Sequence, residues 1–386
     1  MPRQALALPL IALTQIIGWG VVSMLPVLAR PIALDLRTSL PSVFLGTSVM
    51  YMAMGAATPL AIRVFRHLGT RSAMVLGAAG IGAGLGALVL APGILAYWAA
   101  WALIGVAGAT FLTTAAYAYI AEYAPDRARS QIGTLMLVTG LAGSIFLPVT
   151  AWLEHLIGWR ASLLVYVAVM LLVCPLLRFG LPSTVSSPKP AAVGYRRRPR
   201  RVFALLVGAI ALNSFVTFGI QAVCVPLLQA MGVGFGRAVL VASLLGIFKV
   251  AGRMLDLTGG PRWDGLSTGV VAGAMMPLGL AALWLGGGAL WPVGVFLLLF
   301  GVGSGAFAVA RATMPLVFYD KADYAAAMAS IALPMNVINA LAPPALATSM
   351  ESLGAATTFA LLAGLSAAAF ALLLGLRTLR GYAVSA

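Results

Sequence analysis

Apolar residues run in long blocks along this chain, and polar residues are confined to short gaps between them. A helix needs about 20 apolar residues to cross a hydrocarbon core roughly 30 Å thick. Scanned at that length, the chain divides into twelve candidate spans. Six fall in the first half: Leu6 to Leu28, Val43 to Ile62, Ala73 to Leu90, Leu95 to Ile120, Ile132 to Leu153 and Ala161 to Leu177. The second half gives Val202 to Leu228, Ala238 to Leu255, Leu266 to Leu285, Trp291 to Val317, Tyr324 to Thr348 and Ala355 to Leu376. The first span is too long for a signal-peptide core and carries no small-x-small cleavage site, so it is retained as a span.

One polar stretch, Arg178 to Arg201, separates the halves; it is rich in Pro and Ser and ends in Arg196-Arg-Arg-Pro-Arg-Arg201. It reads as a linker. The expected organisation is a first bundle over 1–178, a cytoplasmic linker over 179–201 and a second bundle over 202–386. The halves also repeat: a shift of 196 positions lays Gly105 to Phe111 on Gly301 to Phe307, Pro148 on Pro344 and Gly158 on Gly354 without a gap. Six spans followed by six similar spans is the plan of a carrier with its site between two bundles. The predicted fold is therefore an all-α membrane protein of twelve helices in two pseudo-symmetric six-helix bundles.

Composition agrees, with 62% hydrophobic and 9% charged residues over 386 positions. Soluble domains hold about 25% charged residues. The net charge of +15 raises the question of nucleic acid, and the placement of the cations answers it. With both ends of the chain inside, only Arg30, Arg37, Arg160 and Arg237 fall outside the cell, and Lys249, Arg253 and Arg311 fall within spans. The other Lys and Arg lie on the cytoplasmic side, which is the positive-inside pattern. The arginine cluster before Val202 is read as a topology anchor near anionic headgroups. Cys174 and Cys224 both sit in apolar runs and offer neither a disulfide framework nor metal-ligand spacing.

Charge inside a span is costly and needs a reason. In Leu244 to Asp256, Lys249 and Arg253 are four residues apart and Arg253 and Asp256 three, so a helix stacks them in one stripe. Lys249 lies about 16 Å down the helix from Ala238, close to the middle of the core. A guanidinium offers a planar fork to a carboxylate, and an ammonium offers a point charge. Arg311 in the tenth span adds a third cation, while Glu122, Glu154 and Asp256 all lie toward span ends. The embedded charge is net positive, which suits an anion that comes and goes. Gln15, Thr113, Asn213, Gln221, Asn336 and Asn339 are polar positions on other spans. Interhelical hydrogen bonding is their ordinary use, and Gln15, Asn213 and Asn336 are carried forward as candidate solute contacts. Gly77, Gly80 and Gly84, like Gly301 and Gly305, read as close-packing ladders.

These residues resemble the major facilitator superfamily over essentially the whole chain. Gly252-Arg-Met-Leu-Asp256-Leu-Thr-Gly259-Gly is similar to its loop signature G-R-x-x-D-R-x-G, departing at Leu257. The first-half counterpart, Ile62-Arg-Val-Phe-Arg66-His-Leu-Gly69, has Ile62 for the glycine and Arg66 for the acid. The resemblance implies a cytoplasmic gate at Gly252, Asp256 and Arg66, with Arg253 and Asp256 as a structural latch. Gly158-Trp159-Arg160 is also similar to the family. Phe248 to Arg253 resembles the eighth helix of monocarboxylate and oxalate/formate porters, where an arginine at the Arg253 position serves the carboxylate; Lys249 stands where the monocarboxylate branch has an acid. The fifth span does not reproduce the Gly-Pro element of drug antiporters.

The expectation is a secondary carrier in a bacterial-type inner membrane, with both termini cytoplasmic, moving a small organic anion by alternating access. Alternatives are a larger amphipathic solute such as a drug or siderophore-like molecule, a metal carrier suggested by Met50, Met52 and Met54, and a non-transporting receptor. Met50 and Met54 read first as core packing. No enzyme, cofactor, resident metal or nucleic-acid partner is expected; the partners are a small solute and the bilayer, and the chain is expected to be monomeric.

Overall fold

A computed structural model describes residues 2–124, 127–182, 200–258, 264–286, 289–319 and 324–380. Most of the expected linker lies outside them, with Arg196, Arg197 and Arg198 of the Arg196 to Arg201 cluster. The described residues are almost entirely helical and form two compact units, Met1–Pro190 and Ala191–Ala386.

In unit 1, α1 (Pro2–Val22) and α2 (Leu25–Asp35) make the first span, which continues well past Leu28. The second is bent by 54° between α3 (Leu40–Ala56) and α4 (Thr58–Leu68). Pro59 explains the bend: its ring blocks the preceding carbonyl and it lacks an N–H to continue the ladder. Then come α5 (Thr70–Val89), α6 (Ile94–Phe111), α7 (Thr113–Tyr123), α8 (Ala128–Thr139) and α9 (Ala142–Gly180). The expected glycine ladder is there: a Cβ on Gly77, Gly80 or Gly84 would meet Thr110, Ala107 or Ile104, so α5 lies directly on α6. Gly105 brings α6 against the Met50 carbonyl of α3, and Met50 is buried in that contact.

Unit 2 holds α10 (Arg200–Ala230), α11 (Phe235–Thr258) and α12 (Gly265–Gly286), followed by α13 (Leu290–Phe296), α14 (Val302–Thr313), α15 (Pro315–Phe318) and α16 (Tyr324–Thr378). A five-residue π-helical turn, Leu297–Gly301, joins α13 to α14. Here α10 packs on α16, α12 on α14 and α16, and α11 on α14.

Among the described residues nine helices are long and apolar enough to cross a membrane, ten with the bent pair counted as one span. Two of them are too long for one crossing. Gln131–Gly180 covers 50 residues, about 75 Å at 1.5 Å per residue. It breaks at Gly158, with φ 75° and ψ 168°. Thr150 and Tyr166, 16 residues apart, share a hydrogen bond of 2.5 Å between their hydroxyls, where an unbroken helix would hold them about 24 Å apart. The chain therefore folds back at Gly158. α16 does the same at Gly354 (φ 83°, ψ 167°), where the Ser349 and Thr358 hydroxyls bond at 2.9 Å. Each reversal divides one long helix into two crossings, which brings the count to twelve. The glycines paired by the 196-residue repeat thus share one backbone conformation, in a region almost closed to other residues.

Each unit is also stapled at its ends. Arg160 pairs with Asp35, its Nε donates to the Val89 carbonyl at 3.0 Å, and its guanidinium lies 4.4 Å from the Trp159 ring centre. At the opposite end of unit 1, Thr70 donates to Glu122 at 2.7 Å, Arg71 to the Leu181 carbonyl at 3.0 Å and the Tyr119 hydroxyl to the Pro182 carbonyl at 2.9 Å. In unit 2, Asp264 accepts from the Ser267 N–H at 2.7 Å and from Arg380 at 2.9 Å, which caps α12 and ties it to the end of α16.

Candidate functional site

Lys249 is set by the packing of α11 on α14. A Cβ on Gly305 would collide with the Lys249 carbonyl, and one on Gly252 with the Val302 carbonyl. Only glycine at both positions lets the two backbones touch, so Lys249 has little freedom to slide or rotate. Its side chain is half-buried, and its Nζ donates to Gln221 Oε1 of α10 at 3.0 Å.

The depth of this bond follows from helix geometry. α10 and α11 meet at the loop between Ala230 and Phe235. Gln221 lies about 14 Å from the end of its helix and Lys249 about 21 Å from the start of its own, at 1.5 Å per residue. A helical side chain leans toward the N-terminus, which carries the ammonium back toward Gln221. The bond sits near the middle of a core roughly 30 Å thick.

Arg253 and Arg311 both lie close enough to act electrostatically on the Lys249 ammonium, as does the buried Cys224, one turn beyond Gln221 on α10. Arg311 points a guanidinium nitrogen at Met335 Sδ, 3.9 Å away on α16. The described acidic side chains of unit 2 are elsewhere: Asp264 is bonded to Arg380, and Glu351 lies beside the Gly354 reversal. Two guanidiniums and an ammonium thus gather in one part of an apolar bundle.

The other candidates are placed differently. Gln15 is fully buried in unit 1 and donates from Nε2 to the Phe111 carbonyl at 2.8 Å. That carbonyl is released where the fourth span breaks at Leu112, and Trp19 Nε1 bonds Thr113 across the same break at 2.9 Å. Asn213 is fully buried and donates to Ala209 of its own helix at 3.2 Å. Both residues sit in packing rather than on an open face. Asn339 is buried as well. The side chains of Asn336 and Asp256 lie outside the described residues. Gly252 is a packing glycine, and Arg66 is exposed in the last turn of α4.

Gln221 is the functional candidate that sequence reasoning passed over. It was visible as a polar residue in a span, but nothing local shows that it faces Lys249. No group of three or more His, Cys, Asp or Glu positioned to hold a metal occurs among the described residues. The apolar groove between α1 and α9, about 890 Å³, is lined by Leu6, Leu10, Leu13, Leu172 and Phe179 among others, and suits acyl chains rather than an anion.

The sequence model of the Major Facilitator Superfamily matches residues 10–259. No curated protein matches the chain in sequence. Among solved structures, a bacterial homologue of the human lysosomal transporter Spinster, inward-facing and unoccupied, superposes with a TM-score of 0.80 at 16% identity, covering 100% of this chain and 99% of that one. The same homologue in an occupied inward-facing form gives 0.73 at 15% identity over 98% and 97% of the two chains. A mutant of the nucleoside transporter NupG gives 0.74 at 14% identity over 97% and 99%. These similarities extend the fold over both halves, and the sequence match covers well over half of the residues. The chain belongs to the major facilitator superfamily: it is a multi-pass membrane transporter of small-molecule solutes, not an enzyme.

Proposed function

We propose that this transporter moves a small organic anion, a carboxylate, across the bacterial inner membrane by alternating access. The observation that carries the reading is the Lys249 ammonium, at mid-membrane depth and bonded to a neutral amide, with Arg253 and Arg311 in electrostatic range. Cations in an apolar bundle are stabilised by a counter-charge. A solute carboxylate supplies one when bound, with Lys249 as point charge and the two arginines as forks. Asn336 is kept as a secondary candidate for the solute's polar edges, while Gln15 and Asn213 are taken up in packing. Gly252 and Asp256 in the second half and Arg66 in the first are assigned to the cytoplasmic gate, and both termini to the cytoplasm. The carrier works as a monomer.

The test is uptake of labelled mono- and dicarboxylates into proteoliposomes. Transport of an anion that falls when Lys249 is changed to Gln supports the reading. Transport of only neutral or cationic solutes overturns it.

A further inference from the structure

We propose that Gln221 is a built-in stand-in for the solute: its side-chain oxygen occupies Lys249 while the carrier is empty and yields that place when an anion binds. The inference rests on the anion reading above and assigns a role to a residue outside the cation cluster.

Three observations carry it. The first is the bond itself, 3.0 Å from Nζ to the amide oxygen, the same kind of contact that a carboxylate oxygen would make. The second is exposure. Gln221 is exposed and Lys249 half-buried, whereas Cys224, one turn away on the same helix, is buried. A glutamine whose task was to join two helices would be expected inside the contact, as Gln15 is, with its bond to the Phe111 carbonyl. The third is chemistry. An amide oxygen satisfies an ammonium without neutralising it, so the bond is strong enough to shield Lys249 and weak enough to lose to an anion. Turning the amide over also replaces an acceptor with an N–H donor, so Gln221 can then point a proton at the bound anion.

The stand-in has a consequence for the cycle. An empty carrier must change conformation with its cation in a low-dielectric setting, and an internal partner lowers that cost. Binding of the solute must first break the internal bond, so part of the solute's affinity is spent on displacing it.

The experiment uses the full-length purified protein with lactate and succinate as probes. The reactivity of Lys249 toward an acetylating N-hydroxysuccinimide ester is followed by peptide mass spectrometry, and the affinities by calorimetry. In Gln221→Ala without solute, Lys249 should be acetylated several-fold faster than in wild type. Whichever acid wild type binds should bind of order tenfold more tightly, equivalent to about 1.4 kcal/mol. Gln221→Glu places a permanent countercharge and should slow acetylation and abolish binding of both acids. Unchanged acetylation and unchanged affinity in Gln221→Ala overturn the stand-in and leave the anion reading in place. Weaker binding in Gln221→Ala overturns it too, since Gln221 would then be a solute contact and no competitor. If no acid of the mono- and dicarboxylate panel binds wild type while Gln221→Ala still unmasks Lys249, the anion reading fails and the stand-in with it, which leaves Gln221 a plain structural partner of Lys249.

Discussion

Replacing Arg160 with alanine should destabilise unit 1 far more than replacing its ion-pair partner Asp35 with asparagine. The pair itself is weak: both side chains are 40% exposed, and such a pair is worth about 0–1 kcal/mol. Arg160 does more than pair. Its Nε donates to the Val89 carbonyl at the end of α5 at 3.0 Å, Nη2 reaches the Ala91 carbonyl at 3.4 Å, and the guanidinium lies over Trp159. A charged hydrogen bond contributes roughly 1.5 kcal/mol at its lower end, an exposed cation–π contact about 0.5–1 kcal/mol, and the longer bond little. Arg160→Ala should therefore cost about 2–3 kcal/mol and Asp35→Asn less than about 1 kcal/mol. Arg160→Lys should fall between, because one ammonium cannot serve acceptors spread across a planar fork. Thermal unfolding of the four purified proteins in one detergent reads the order. Equal losses from Arg160→Ala and Asp35→Asn would refute the reasoning, since the ion pair would then account for the whole staple.

Two glycine substitutions should fail for different reasons. Gly158→Ala faces open space but a positive φ of 75°, so it should cost about 1–3 kcal/mol through backbone strain and lower the unfolding temperature, with Gly354→Ala behaving alike; stability unchanged at both would contradict the reversals. Gly305→Ala has ordinary helical geometry but drives a Cβ into the Lys249 carbonyl. It should cost about 1–3 kcal/mol by overpacking and, in the protein that still folds, weaken anion binding more than Gly303→Ala does, which equilibrium binding on both variants would check.

Much of the fold was legible because lipid imposes a simple rule: every span must be apolar, helical and about 20 residues long. That rule found the spans, and the 196-residue repeat picked out Gly158 and Gly354 before their backbone angles were known. Breaks inside spans were harder. Pro26 and Pro59, each the second residue after its break, mark the break between Val22 and Leu25 and the bend after Ala57, yet both stretches read as unbroken spans; the π-helical turn at Leu297–Gly301 has no comparable local mark. The stripe of Lys249 and Arg253 was legible because both lie on one helix, four residues apart. Their partners were not, since contacts between helices depend on how each is rotated and how deep it sits. That is why Gln15 and Asn213, as polar in sequence as Gln221, turn out to be buried in packing while Gln221 meets the lysine. Arg160 likewise read as an external positive charge in a short family-like motif, and its grip on α2 and α5 emerges from the fold.

The central claim is that Lys249 holds an anion, and uptake by Lys249→Gln tests it most directly. Proteoliposomes of wild type and variant, matched for folded protein, are offered a panel of labelled mono- and dicarboxylates while thermal unfolding is recorded in parallel. Removing a mid-membrane cation relieves desolvation, so the variant should remain as stable as wild type while its uptake of the transported acid falls at least tenfold. Wild-type uptake of every transported anion by Lys249→Gln would contradict the account.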